Sequence, residues 1–391
     1  MHKERKEDRD SNKVSDTTLV PTTETTDHSE PPLLPQAPTN CFARDEIVTR
    51  LLDHLDDLAS IVLSGAVGIG KTTVALTILH HDRVKAKFGN SRYFMRCDDL
   101  ENSSESFLER LSNAIGFLPT KSMQQLRPRL VREPPLLLVL DGVDGVLDPL
   151  AVESEDIAKT IEEISQHRNV CLLATSRMDV DIPGFQTIEV ATLSRDGARD
   201  LFYSLSLLSR SPAIDDLITS LDCHPLSVDL LARAAHERSW DEARLLRQWD
   251  SDRTDMLKLD NNQSLAAAIE SVLTAPAIQK LGPVAQETLE AIAAFPGGVE
   301  ETRVERMFPL IVGVGAAVNV LYRFYLVERQ GSFVRMLPPF RFHFLQQTPI
   351  TVHVRKEVGN DNRPIAEEEK HIRCNAARAG PSPILIVRLP N

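Results

Sequence analysis

The chain has 391 residues, 42% of them hydrophobic and 26% charged, with a formal net charge of −12. That length allows two or three domains with sizeable buried cores, and the acidic balance argues against a protein that grips nucleic acid by general electrostatics, which needs a basic surface. The charged N-terminus (Met1-His-Lys-Glu-Arg-Lys-Glu-Asp) lacks the apolar stretch of a secretory signal, and no apolar run reaches the roughly 20 residues of a membrane helix, so a cytoplasmic protein without membrane contact is expected.

Residues 1–38 are polar, charged and Thr/Pro-rich, ending in Glu30-Pro-Pro-Leu-Leu-Pro-Gln-Ala-Pro38, and are expected to be a disordered tail. Ordered patterning starts near Phe42. Apolar residues at Ile47, Leu51, Leu52, Leu55 and Leu58 predict a helix. Ser60-Ile-Val-Leu-Ser64 is a short buried strand, and the helix after the glycine loop is expected over 72–81. Further strands are predicted at 92–96, 136–140, 170–175 and 187–190, with helices at 106–115 and around Ile157, Ile161 and Ile164. Apolar strands alternating with helices imply a doubly wound α/β fold on a mostly parallel sheet. Beyond Ser194 the pattern turns helical: 195–208, 214–221, 226–236 and 265–273. Helices at 284–294, 301–308 and 316–324, followed by a hairpin over 326–336, have the plan of a winged helix. The expected organisation is therefore a nucleotide-binding domain at 39–193, a helical lid at 194–280, a winged-helix-like domain at 281–345 and a C-terminal tail at 346–391 whose only patterned run is Ile384-Leu-Ile-Val-Arg388. The five cysteines are scattered without a CxxC pair and are expected to be free thiols; Trp240 and Trp249 are expected to pack in cores, and His80 and His81 to face solvent or the end of their helix.

Gly65-Ala-Val-Gly-Ile-Gly-Lys71-Thr72 is a GxxxxGK[ST] phosphate loop set between an apolar strand and a helix. Its glycines let the backbone curl around an anion, and the loop N–H groups with the following helix N-terminus face the phosphates. Gly65, Val67, Gly68, Ile69, Gly70, Lys71, Thr72 and Thr73 are thus the nucleotide-binding candidates for ATP or ADP, with the Lys71 ammonium on the β and γ phosphates. The Thr72 hydroxyl and Asp141, at the end of the third predicted strand, are the Mg2+ candidates. Asp144 is the nearby candidate for orienting a water. Arg177, at the end of the fourth strand, is placed to reach the γ-phosphate.

With these residues together, the segment from about Asn40 to Met336 resembles the signal-transducing ATPases with numerous domains (STAND), most of all NB-ARC-type and fungal NOD-like proteins. Phe42-Ala43-Arg44-Asp45-Glu46 is similar to the opening Gly-Arg-Glu motif, which implies that Arg44 lies near the adenine. Leu136 to Asp141 is similar to Walker B, and Thr175-Ser176-Arg177 to the first sensor. The stretch from Val190 through Phe202 resembles the motif that opens the helical lid, and His224-Pro-Leu-Ser-Val228 resembles Gly-Leu-Pro-Leu-Ala, which implies that Pro225 approaches the nucleotide.

The resemblance implies an ADP/ATP switch that oligomerises, with itself or with other NOD-like proteins, in the ATP state. Ala43 replaces the glycine of the opening motif, Gly142 replaces the second Walker B acid, and Met336-Leu337-Pro338 replaces Met-His-Asp. The spacing Asp141-Gly-Val-Asp144 resembles that of the related NACHT group, whose next glutamate is Gly145 here. A slow regulatory ATPase is the leading expectation, and a nucleotide-binding scaffold without hydrolysis is the alternative. A truncated relative is a third expectation, since no effector domain precedes Asn40 and no repeat array follows the winged helix. A DNA-binding regulator is opposed by the net charge, and a small-molecule kinase by the lack of an identifiable substrate pocket.

Overall fold

The computed structural model describes residues 32–39, 41–100, 103–131, 135–258 and 264–347, and strands at 351–356, 368–369 and 384–389. The first sheet contains β1 (Ser60–Ser64), β2 (Arg92–Arg96), β3 (Leu136–Asp141), β4 (Val170–Ser176) and β5 (Phe185–Glu189), in the order β2-β3-β4-β1-β5 with every pair parallel. The side chains of β1, β3 and β4 are buried throughout, as expected for strands covered on both faces.

Period-two alternation splits those side chains between two cores. Ile61, Leu63, Leu137, Val139 and Leu173 pack on one face with Leu51, Leu55, Val74, Ile78 and Phe88. The other core holds Val62, Leu138, Leu140 and Leu172 together with Phe107, Leu111, Ile157 and Ile161. The helices that carry these residues are α1 (Asp45–Asp56), α2 (Lys71–Leu79), α3 (Asp82–Phe88), α4 (Ser104–Ala114) and α7 (Ser154–Ser165); α5 (Met123–Leu130) and α6 (Asp144–Leu147) add Leu126, Leu130 and Val146 to the second core.

The helical stretch that follows comprises α8 (Arg195–Ser206), α9 (Pro212–Ser220), α10 (Pro225–Glu237), α11 (Glu242–Asp252), α12 (Leu265–Leu273), α13 (Pro276–Gln279) and α14 (Pro283–Ala293). Their starts are readable as chemistry. The Ser194, Asp241 and Ser264 side chains accept backbone N–H groups at the N-caps of α8, α11 and α12, while Pro opens α9, α10, α13 and α14. β6 (Val299–Glu300) comes before α15 (Val304–Met307) and α16 (Val314–Arg323), and with β7 (Glu328–Gln330) and β8 (Phe333–Arg335) after them it forms an antiparallel sheet in the order β6-β8-β7. Gly331, at φ +61°, supplies the left-handed residue of the predicted hairpin turn. α17 (Pro338–Gln347) follows, and β9 (Thr351–Lys356), β10 (Glu368–Glu369) and β11 (Ile384–Leu389) form a second three-stranded sheet.

Several expectations need correction. The tail expected to be disordered to residue 38 meets the fold sooner: Leu34 packs on the first core, and the His80 Nε2–H donates to the Pro35 carbonyl at 2.7 Å. Residues 1–31 of that expected tail lie outside the described residues. His80 therefore holds the linker, and the His81 ring accepts the Arg83 N–H as the N-cap of α3. α11 lies outside the predicted helices because its buried positions, Leu245 and Trp249 one turn apart, are set in a charged segment. α17 is hidden behind the strand-like alternation Phe340-Arg-Phe-His-Phe344, yet Phe340 and Phe344 are both fully buried. The run at 384–388 lies in β11, paired in parallel with β9. Trp240 and Trp249 are buried as expected, and the four cysteines among the described residues are free. No helix among the described residues is long and apolar enough to cross a membrane.

Candidate functional site

β1 delivers the chain to Gly65 at the carboxyl edge of the sheet, the side on which open α/β sheets bind ligands. Gly65 has φ +145°, and a Cβ there would lie 2.8 Å from the Val190 carbonyl oxygen, so the loop and the end of β5 can meet only through glycine. The loop ends at Gly70, φ +96°, the N-cap of α2; no side chain caps this helix start, which leaves its N–H groups for an anion.

Lys71 is 7% exposed, and its ammonium donates to the carbonyls of Gly65 and Ala66 at 2.8 and 2.9 Å. Burial lowers its pKa to about 8, with Asp144 and Asp141 acting upward and Arg177 downward, so it remains a cation at neutral pH. Beside it the Thr72 hydroxyl donates to Asp141 Oδ1 at 2.8 Å. The same carboxylate oxygen accepts the Thr175 hydroxyl at 2.7 Å, and Thr175 Oγ1 accepts the Gly142 N–H at 2.9 Å. Thr175 was not among the sequence candidates; it fixes the rotamer of Asp141 from the neighbouring strand.

The two catalytic candidates meet each other. Asp144 Oδ1 accepts the Arg177 backbone N–H and Oδ2 accepts its Nε–H, both at 2.8 Å, and Arg177 Nη1 reaches Ser271 Oγ on α12 at 3.1 Å. The pair is partly buried, with side-chain exposures of 24% for Arg177 and 8% for Asp144. In this arrangement Asp144 is neutralised and Arg177 ties the sheet edge to the helical segment.

Arg44 is nearly buried, donating from Nη2 to the Ile69 carbonyl at 2.8 Å and from Nη1 to the Ala191 carbonyl at 2.9 Å, and so braces the phosphate loop. Ala43 before it has φ +47°, the conformation for which a glycine is suited. Arg44, Val67, Gly68, Ile69, Gly70, Lys71, Thr72, Thr73, Asp141, Asp144, Arg177 and Pro225 all line one cavity of about 1000 Å3, whose apolar end adds Pro35, Pro38, Phe42, Leu76 and Leu201. Gly65 lies just behind the wall and gives its carbonyl to Lys71.

Sequence reasoning also missed His224, which is fully buried as the N-cap of α10. Its Nε2–H donates to the Val67 carbonyl at 3.0 Å, and Nδ1 accepts from Ser227, with Oγ at 3.0 Å. The Leu226 N–H donates to the Gly68 carbonyl at 3.2 Å, and a Cβ on Gly68, φ +74°, would be 2.8 Å from the Leu226 side chain. The available signal was its position just before Pro225, where a capping side chain is expected.

Burial lowers the His224 pKa to about 4, although the Val67 hydrogen bond acts upward. A depressed histidine pKa means that the unfolded chain binds the proton first. Its contribution to stability is complete above about pH 6.5 and is lost as the pH falls towards 4, by up to about 3 kcal/mol. Urea unfolding at pH 7.0, 5.5 and 4.5 is expected to show this loss in the wild type and to show a flatter profile in His224→Gln; identical profiles would remove His224 as the cause.

A family model described as NACHT domain matches residues 59–206. A Walker-type ATPase of Pyrococcus abyssi aligns over 80% of this chain and 99% of its own at 12% identity with a TM-score of 0.56, a likeness of fold. A STAND protein with a tetratricopeptide repeat sensor from Pyrococcus horikoshii aligns over 77% of this chain and 42% of its own, at 15% identity and a TM-score of 0.36. No curated protein matches. The phosphate loop and the parallel sheet agree with that match: residues 59–206 are similar to the NACHT domain, and the fold is that of a P-loop NTPase.

Proposed function

We propose that the chain is an ATP/ADP switch with slow hydrolysis, in which the helical segment acts as a lid on the phosphate loop. The observation that carries this reading is the bonding of α10 to the loop tip: His224 and Leu226 donate to the carbonyls of Val67 and Gly68. A phosphate group entering that loop acts on the same backbone that holds the lid, and this gives nucleotide the differential contact a switch requires. Lys71 and the α2 N-terminus take the phosphates, and Arg44 and Pro225 the base side. The Thr72–Asp141 pair suits Mg2+, which binds through one or two protein oxygens plus phosphates and supplies charge neutralisation when present. The resting nucleotide is ADP. Domains at 39–193, 194–280 and 281–345 form the switch, with helices α14–α16 and sheet β6-β8-β7 as a winged-helix-like unit of NB-ARC type; the tail from 346 is a separate element. A Tyr325 hydroxyl bond to Ser64 at 3.0 Å and an Asp179 N–H bond to the Arg323 carbonyl at 2.7 Å couple that unit to the sheet. Release of the lid exposes surface for homo-oligomers or assembly with NOD-like partners in the cytoplasm.

The direct test is to purify the chain, denature it and identify released nucleotide by chromatography. ADP from wild type and none from Lys71→Ala is expected; an empty wild type that also ignores added Mg-ATP would reject the reading. The Asp144–Arg177 pair supports a second reading, a binding scaffold without turnover, since the nearest acid is held by a guanidinium. Measurable Mg-ATP turnover sensitive to Lys71 excludes it.

A further inference from the structure

Hydrolysis in this site, which rests on the switch reading above, calls for a side chain that holds a water against the γ-phosphate beside the magnesium acid, a task a carboxylate performs as general base. Asp141 is engaged by the Thr72 and Thr175 hydroxyls, and both oxygens of Asp144 accept from Arg177. Of the two other carboxylates lining the cavity, Asp229 is paired with Arg233 on α10, and Asp98 lies against the turn after β3. β2 brings it there: Arg96 stands opposite Asp141 in the strand register, and the Cys97 N–H donates to the Asp141 carbonyl at 2.8 Å, carrying the backbone past the end of β3.

The two glycines after Asp141 make room for that segment. A Cβ on Gly142 would be 3.2 Å from Asp98 Cβ, and one on Gly145 would be 3.3 Å from both Asp98 Cα and the Cys97 carbonyl oxygen. Side chains at 142 and 145 would therefore press on residues 97 and 98; with glycines there, the position beside the β3 turn belongs to Asp98. Its side chain is 34% exposed, and Arg96 Nη2 holds one carboxylate oxygen at 3.0 Å.

We propose that Asp98, from the β2 edge, supplies the water-holding carboxylate in place of an acid on the β3 turn. The water oxygen bonds to the γ-phosphorus of ATP as the bond from that phosphorus to the β–γ bridging oxygen breaks, and the electron pair leaves with ADP. One water proton goes to Asp98 and is lost to solvent when phosphate departs.

The test compares full-length wild type, Asp98→Asn, Asp98→Glu and Lys71→Ala, reading fluorescent ATP and ADP affinity, single-turnover hydrolysis and binding of ADP with aluminium fluoride. Asp98→Asn is expected to slow the chemical step about 100-fold and to weaken the aluminium fluoride complex, with ATP and ADP affinities within about two-fold of wild type; Asp98→Glu is expected to recover part of the rate. Wild-type hydrolysis in Asp98→Asn overturns the assignment, as does a wild type that binds ATP without hydrolysing it, an outcome that leaves the binding reading intact. A wild type that binds neither nucleotide overturns both.

Discussion

Replacing Lys71 by methionine is expected to weaken ATP binding at least about 100-fold, roughly 3 kcal/mol, while moving the unfolding free energy by less than about 1 kcal/mol. The two effects separate because the ammonium is an awkward resident of the folded chain. Burial holds its pKa down at about 8, and its partners are the neutral carbonyls of Gly65 and Ala66. Removing it loses two hydrogen bonds and relieves the desolvation of a cation, terms of opposite sign and similar size. Phosphate is a far better partner for a desolvated ammonium than a carbonyl is, so the whole benefit of the charge appears on binding. Titration with fluorescent ATP and urea unfolding of the same preparations check both numbers. A large loss of stability would mean that Lys71 is a structural brace, and an unchanged affinity would mean that the loop is not the phosphate site.

Gly197→Ala is expected to destabilise the fold by about 3 kcal/mol or more, with Ala43→Gly restoring most of it. Gly197 lies in the first turn of α8, where its N–H donates to the capping Ser194 hydroxyl at 3.1 Å. A Cβ added there would be 2.1 Å from Ala43 Cβ. Both atoms are fixed to backbone, so neither can rotate away, and α8 or the chain before α1 must move. Ala43 also carries φ +47°, so Ala43→Gly removes both the clash partner and a left-handed alanine. In that background the nearest neighbours of the new methyl become Ser194 Oγ at 3.1 Å and the Cα of residue 43 at 3.5 Å. A double-mutant cycle by urea unfolding is expected to show a coupling above about 2 kcal/mol; additive effects would refute the contact. Because Arg44 is the next residue, Gly197→Ala alone is also expected to weaken nucleotide binding.

The strands were legible because each buried sheet strand is a short apolar run bounded by polar residues, and the phosphate loop because its glycines and Lys71-Thr72 are contiguous. Asp141 was legible from its place at the end of such a run. Helix starts at Ser194 and Ser264 carried their own caps. α17 was not legible, since its own residues alternate like a strand and what makes it a helix is the partner it packs against; α11 does carry a cap at Asp241 and a stripe at Leu245 and Trp249, set in a charged segment.

By itself the sequence determined the α/β nucleotide-binding core: alternation placed Ile61 and Leu63 on one face and Val62 on the other, and local glycines set the loop. Tertiary structure alone decided how the site is wired, because each of those contacts joins residues far apart in the chain. Thr175 reaches Asp141 across a strand pair, Arg177 takes Asp144, His224 crosses 157 positions to Val67, and Asp98 comes to lie over Gly142. Hydrophobic period is a property of neighbouring residues and survives in one dimension; a hydrogen bond between strand ends depends on strand order and register, which a single run of side chains does not encode.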